Sequence, residues 1–244
     1  MPVGRMRVPE SGMVLAAGLG TRLRPITDRL PKPLVPVGGR TLLDHAIDRL
    51  GDAGVKRVVV NVHYKAEMIA HHLEGRTAPA IALSREDELL ETGGGILKAL
   101  PLLGDHFFVV NSDVFWLDGK VSALQRLARA WDGERLDALL LLQRTATALG
   151  YEGAGDFMID PLGRIRRRRE REVAAHLFAG VQILHRRLFD GAKPGKFSLN
   201  PLWDRAIAAG RLAAIVHDGE WYHIGTPDGL GATEERLASH RIER

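Results

Sequence analysis

The chain has 244 residues, 45% hydrophobic and 26% charged, with a formal net charge of +4 and no cysteine. That supports one substantial core and excludes a disordered chain; it also excludes disulfides and thiolate metal sites, and makes a reducing cytoplasm the expected location. No run approaches the ~18 apolar residues of a membrane helix, and residues 1–18 lack a signal-peptide core, so no membrane contact is expected.

Residues 1–11 are polar and read as a loose arm. "MVLAAG" (13–18) reads as a buried strand ending in a glycine turn. "TLLDHAIDRLGDAG" (41–54) has helical spacing, with Thr41 as N-cap and Gly54 as the stop. "KRVVVNV" (56–62) is a strand, "AEMIAHHL" (66–73) a short helix and "AIALSRE" (80–86) a third strand. The glycines of "ETGGG" (91–95) read as a loop before the helix "ILKALPLL" (96–103). "HFFVVNSD" (106–113) is a strand whose polar end carries Asp113, followed by the helix "VSALQRLARAW" and the strand "DALLLL". Further on, "DFMIDPLGRIRRR" predicts a hairpin around Pro161 and Gly163, and "AHLFAGVQILH" a strand with a glycine-marked bend. "LNPLWDRAIAAG" is a helix, "LAAIVHD" and "WYHIG" are short strands, and "TPDGLGATEERLASH" is a closing helix with Pro227 in its first turn. Strands that are continuous apolar runs, alternating with helices, predict an α/β fold: a mostly parallel sheet covered on both faces, in one domain spanning 1–244. The polar ends "AAGLG", "NVH" and "NSD" should meet at one cleft.

The stretch "LAAGLGTRLRPITDRLPKPLVPVGG" (15–39) concentrates the chemistry. Gly18 and Gly20 follow a strand and allow a ligand to approach backbone N–H groups. Arg22 and Arg24 suit phosphate oxygens. Pro31 and Pro33 restrict the backbone around Lys32, which lowers the entropy lost in fixing its amine. No G-K-[ST] closes the loop, and Leu23 stands where a dinucleotide fingerprint needs its third glycine.

"AAGLGTRLRPITDRLPKPLVPV" resembles the signature of the sugar-phosphate nucleotidyltransferases, and the resemblance runs over nearly the whole chain. "LLETGGGILKALPLLGD" with "VVNSD", and "FSLNPLWDRAIAAGRL", are similar to the N-acetylmuramate-1-phosphate uridylyltransferase branch. The resemblance implies a Rossmann-like, GT-A-like mixed sheet and a reaction of UTP with a sugar 1-phosphate, in peptidoglycan recycling. It implies that Ala17, Gly18, Gly20, Thr21 and Arg22 hold the triphosphate and that Lys32 neutralises the reacting phosphates. Glu91, Thr92 and Gly93 are implied near the base and ribose, and Asp113 as a ligand of Mg2+, with Asn111 beside it. Gly155, Asp156, Ala179, Gly180, Ser198 and Asn200 are implied to face the sugar. The chain departs from the family's W-x-D-[VI]-G-T-like segment, because "WYHIGTPD" places His223 where an acidic ligand is usual. His223 reads either as a nitrogen ligand, which would admit Mn2+ or Co2+, or as a hydrogen-bonded structural histidine.

Two other functions fit less of the sequence: another sugar and base, such as mannose 1-phosphate with GTP, or a catalytically silent nucleotide-binding homologue. The arginine run Arg166–Arg169 reads as a solvated hairpin edge, with substrate contact the lesser alternative. Aromatic residues make up only 6% and no stacking motif accompanies the run, so no nucleic-acid partner is expected. The expected state is a monomer or weak homo-oligomer.

Overall fold

A computed structural model describes residues 8–161 and 163–242. The first half runs β1 (Ser11–Leu15), the single turn α1 (Ile26–Arg29), the ribbon β2 (Pro36–Val37) and β3 (Arg40–Thr41), α2 (Leu42–Asp52), β4 (Arg57–Val62), α3 (Ala66–His72), β5 (Ala80–Arg85), α4 (Glu91–Ala99), β6 (His106–Asn111), β7 (Val114–Leu117), α5 (Ala123–Ala130) and β8 (Ala138–Arg144). The second half runs β9 (Ala148–Leu149), β10 (Phe157–Ile159), β11 (Ile165–Arg167), β12 (His176–His185), α6 (Asn200–Ala208), β13 (Leu212–Val216), β14 (Glu220–His223) and α7 (Pro227–Ile242).

The main sheet has the order β5-β4-β1-β6-β12-β8-β13, with the β10–β11 hairpin attached at the start of β12. Neighbours are parallel except β12, which is antiparallel to both β6 and β8. The continuous apolar runs follow from two covered faces. Val14, Val58, Val60, Phe108 and Val110 face one core, while their neighbours Met13, Val59, Phe107 and Val109 face the other. A third cluster, including Leu23, Val35, Phe115, Tyr222 and Ile224, anchors the segment after β1 to a small sheet of order β7-β14-β9.

Local signals act as their chemistry requires. Thr41 accepts the Asp44 N–H at 3.0 Å and caps α2. Gly180 has φ +77°, and β12 slips register between Phe178 and Gln182 to make its bend. Two expectations need correction. Ser11 belongs to β1, and the Glu10 carbonyl accepts the Lys56 N–H at 2.8 Å, so only residues 1–7 of the expected arm lie outside the described residues. "ETGGG" is not a loop but the start of α4. Its glycines serve close packing: a methyl on Gly93 would overlap the Phe197 ring, and one on Gly94 the Gly195 carbonyl.

Candidate active site

From β1 the chain builds β4 and β5 on one side, then returns to place β6 on the other. The crevice beyond the strand ends at that reversal is where open α/β sheets take ligands. A cleft of about 420 Å³ opens there, and Leu15, Asn61, Glu86 and Asn111 bring the ends of β1, β4, β5 and β6 into its wall.

The segment after β1 forms the next wall. Gly20 adopts φ +64°, and a side chain there would meet Lys32 Cβ and Thr27 Cγ2 at 3.0 Å. The Thr27 hydroxyl donates to the Gly20 carbonyl at 2.9 Å, closing the loop. Gly18 does not need glycine for backbone reasons, since a Cβ there meets nothing within 4 Å and would point into open space. Pro31 precedes and Pro33 lies within the 3-10 turn Lys32–Leu34, with the Leu34 N–H bonded to the Pro31 carbonyl and the Val35 N–H to the Lys32 carbonyl. Its Lys32 is 9% exposed, and burial lowers the pKa of its amine while Asp113 pulls the other way.

Asp113 sits in the turn between β6 and β7. Its Oδ2 lies 3.4 Å from Lys32 Nζ and 4.0 Å from His223 Nε2. Burial acts to raise its carboxyl, but Lys32, His223 and Arg22 outweigh it and hold the group below the usual range. His223 arrives by strand pairing, because β14 lies antiparallel to β7 with His223 opposite Val114. Its Nδ1 lies 3.3 Å from the Gly150 carbonyl. A carbonyl only accepts, so Nδ1 carries the hydrogen and Nε2 is left facing Asp113. The ring stacks on Trp221 and lies against Gly225. Burial lowers its pKa, which favours the neutral, ligating form.

Ala17, Gly18, Gly20, Thr21, Arg22, Lys32, Glu91, Thr92, Asn111 and Asp113 all line this cleft. Gly93 does not; it is buried in α4 and its N–H donates to the Phe197 carbonyl at 2.9 Å. A second cavity of about 290 Å³ shares Leu15, Thr92 and Asn111 with the first. Gly155, Asp156, Ser198 and Asn200 line it. Ala179 and Gly180 line neither cavity: the Ala179 carbonyl accepts the Trp221 indole N–H at 2.9 Å, and Gly180 packs on Val114.

Asn61, in the polar end "NVH", lines the first cleft as expected, whereas Glu86 of the same wall has no signal in the sequence. The Asn61 amide donates to Glu86 Oε1 at 2.7 Å and accepts the Ala16 N–H at 2.8 Å; Glu86 Oε2 accepts the Leu90 N–H at 3.1 Å. This chain ties β1 and β4 to the start of α4. Gln182 and Trp203 of the second cavity were also missed, while Arg167 and Arg168, read first as a solvated hairpin edge and only second as a substrate contact, line it. Among the described residues no group of three or more His, Cys, Asp or Glu is placed to hold a metal ion. Asp113 and His223 supply two donors, which fits a hard cation that takes its remaining ligands from phosphate oxygens and water.

The nucleotidyl transferase family matches residues 11–166. The chain is 43% identical to the N-acetylmuramate alpha-1-phosphate uridylyltransferase of Caulobacter vibrioides, over 95% of this chain and 98% of that protein. It is 34% identical to the protein of the same name from Neisseria meningitidis serogroup B, over 88% and 92%. Among solved structures, a UDP-glucose pyrophosphorylase complexed with UDP-glucose matches 95% of this chain and 99% of its own, with TM-score 0.81 at 16% identity. The inositol-1-phosphate CTP transferase from T. maritima matches 96% of each chain, with TM-score 0.77 at 18% identity. These two show the α/β fold, while the family match and the two curated relatives show descent: the chain belongs to the nucleotidyl transferase family.

Proposed function

We propose that the chain joins UTP and N-acetylmuramate 1-phosphate to give UDP-N-acetylmuramate and pyrophosphate. The observation that carries this reading is the pair of cavities with a common wall at Leu15, Thr92 and Asn111. A triphosphate in the first and a sugar phosphate in the second meet at that wall. The names of the two curated uridylyltransferases support the choice of base and sugar.

A phosphate oxygen of the sugar phosphate forms a bond to the α-phosphorus of UTP, and the bond from that phosphorus to the bridging oxygen breaks as pyrophosphate leaves. The protein contributes position and charge. Ala17, Gly18, Gly20 and Thr21 surround the triphosphate, and Arg22 and Lys32 supply the positive charge near the α-phosphate. Glu91, Thr92, Asn61 and Glu86 form the side of the cleft that receives base and ribose. Asn111 lies at the shared wall, and Gly155, Asp156, Ser198 and Asn200 contact the sugar. Asp113 and His223 would hold the divalent cation, which we take to be magnesium; when bound it offsets phosphate charge. The chain acts as a single domain in the cytoplasm, in the reuse of cell-wall sugars.

The test is pyrophosphate release across sugar 1-phosphates and nucleoside triphosphates. The highest kcat/KM should belong to UTP with N-acetylmuramate 1-phosphate. A higher value for mannose 1-phosphate with GTP would replace this reading with a guanylyltransferase, and nucleotide binding without pyrophosphate release would make the chain a silent homologue.

A further inference from the structure

Two arginines and one carboxylate line the second cavity, and one of the arginines, Arg167, is also ion-paired with Asp204. Arg167 and Arg168, on the outer hairpin, both line it. The arginines of the run have separate fates. Arg166 is held bidentately by Glu172, at 2.7 and 2.9 Å, and lines neither cavity. Arg167 makes a single 3.2 Å contact with Asp204. Arg168 is pinned by carbonyls, those of Gly155, Arg169 and Glu172, at 2.9, 3.2 and 3.2 Å. Carbonyls orient a guanidinium without cancelling its charge, and among the described residues no carboxylate lies within ion-pair distance of Arg168.

The rest of the lining supplies one acid, a buried amide and an aromatic wall. Asp156 is the carboxylate of this wall, and its Oδ2 accepts the Phe178 N–H at 2.8 Å. Gln182 is 1% exposed, and its Oε1 accepts the Trp203 indole N–H at 3.1 Å, which leaves its amide N–H groups as donors. Trp203, packed edge-on against Phe157 and Phe178, gives an apolar wall. Two cations, a buried amide and an aromatic wall suit a pyranose that carries an acid on a short apolar arm. N-acetylmuramate has such an arm, a lactyl ether with a carboxylate; N-acetylglucosamine is the same sugar without it.

We infer that Arg167 and Arg168 form a carboxylate subsite in the second cavity that selects an acid-bearing sugar 1-phosphate over its neutral counterpart. This rests on the reading of the second cavity as the sugar site. Their cationic side chains contact the substituent, not the reacting phosphates, so they set specificity without taking part in the chemical step.

The test compares N-acetylmuramate 1-phosphate with N-acetylglucosamine 1-phosphate, each with UTP, in the unmodified protein and in Arg167→Ala, Arg168→Ala and Arg168→Lys. A uronic acid 1-phosphate serves as a third sugar. Losing one charge-assisted contact should raise KM for the muramyl sugar by about 10- to 100-fold. The shift for the neutral sugar should be at least tenfold smaller, with KM for UTP as the internal control for folding. Arg168→Lys keeps the charge and should recover part of the loss. Equal losses with both sugars, or a muramyl preference that survives in the arginine variants, overturns the subsite and leaves the proposed reaction standing. Preference for the uronic sugar, lost in the variants, upholds the subsite and overturns the proposed sugar. An unmodified protein that favours the neutral sugar overturns both.

Discussion

Lys32 Nζ lies 3.4 Å from Asp113 Oδ2, although the two residues are 81 positions apart in the chain. The 3-10 turn that holds Lys32 between two prolines carries one charge and the β6–β7 turn carries the other, so the pair joins the first phosphate-loop segment to the far side of the sheet reversal. Lys32 is the more buried partner, with 11% of its side chain exposed against 34% for Asp113. Its stem is fixed by packing on Gly20, which leaves the amine as the directed group.

Lys32→Ala should therefore preserve the fold and reduce turnover by about two orders of magnitude or more, the scale of a lost transition-state charge contact. Steady-state pyrophosphate release, alongside far-UV circular dichroism, measures both. Near-normal turnover in a folded variant removes Lys32 from the chemistry.

Asp113 and His223 should act together on the metal. Asp113→Asn should lose metal-dependent activity with little change in thermal midpoint, because the residue is at the cleft rather than in the core. His223→Ala should raise the metal concentration needed for half-maximal activity, and His223→Asp should raise affinity for magnesium relative to manganese or cobalt. Metal titrations by activity and by calorimetry check this. If the His223→Ala curve overlays that of the unmodified protein, His223 is a structural ring held by Trp221 and Gly150.

Gly94→Ala tests the packing of α4. The Gly93 and Gly94 N–H groups both donate to the Phe197 carbonyl, and an added methyl collides with the Gly195 carbonyl oxygen. The expected cost is about 1–3 kcal/mol, typical of overpacking against a backbone that must shift. Chemical denaturation measures it, and hydrogen exchange should show the effect concentrated in residues 195–199. An unchanged midpoint would show that this segment yields freely.

The outer hairpin should weaken in acid. The Arg166 guanidinium, then the Arg169 N–H, hold the Glu172 carboxyl down to about 2 from an ordinary 4.5. A carboxyl depressed in the folded state stabilises above the unfolded value and loses that contribution as pH falls from 4.5 towards 2. NMR titration of Glu172 gives the midpoint directly, and Glu172→Gln should flatten the acid limb of hairpin protection. A Glu172 midpoint near 4.5 contradicts the assignment.

The phosphate loop is legible in the sequence because its parts are contiguous: glycine turn, arginine, and a lysine between prolines within residues 18–33. Strand and helix order is legible because both sheet faces are covered and the apolar runs are long. The second cavity is legible only through the resemblance, which points to Gly155, Asp156, Ser198 and Asn200; its wall is assembled from the hairpin, β12 and α6, and Arg167 gives no local sign that it faces inward while Arg166 turns to Glu172. Glu86 looks like an ordinary strand end until the sheet sets it beside Asn61 of the polar end "NVH". "ETGGG" misleads for a different reason. Glycine disfavours helix by its own propensity, and here tertiary packing on Phe197 and Gly195 overrides that preference.

In the proposed reaction a sugar phosphate oxygen attacks the α-phosphorus of UTP in one step. The most direct measurement uses N-acetylmuramate 1-phosphate labelled with 18O in its phosphate oxygens, with unlabelled UTP, and mass spectrometry of both products. The label should stay entirely in UDP-N-acetylmuramate, pyrophosphate should be unlabelled, and no pyrophosphate should form before the sugar is added. Label in the pyrophosphate, or a burst of pyrophosphate without sugar, would contradict this reaction.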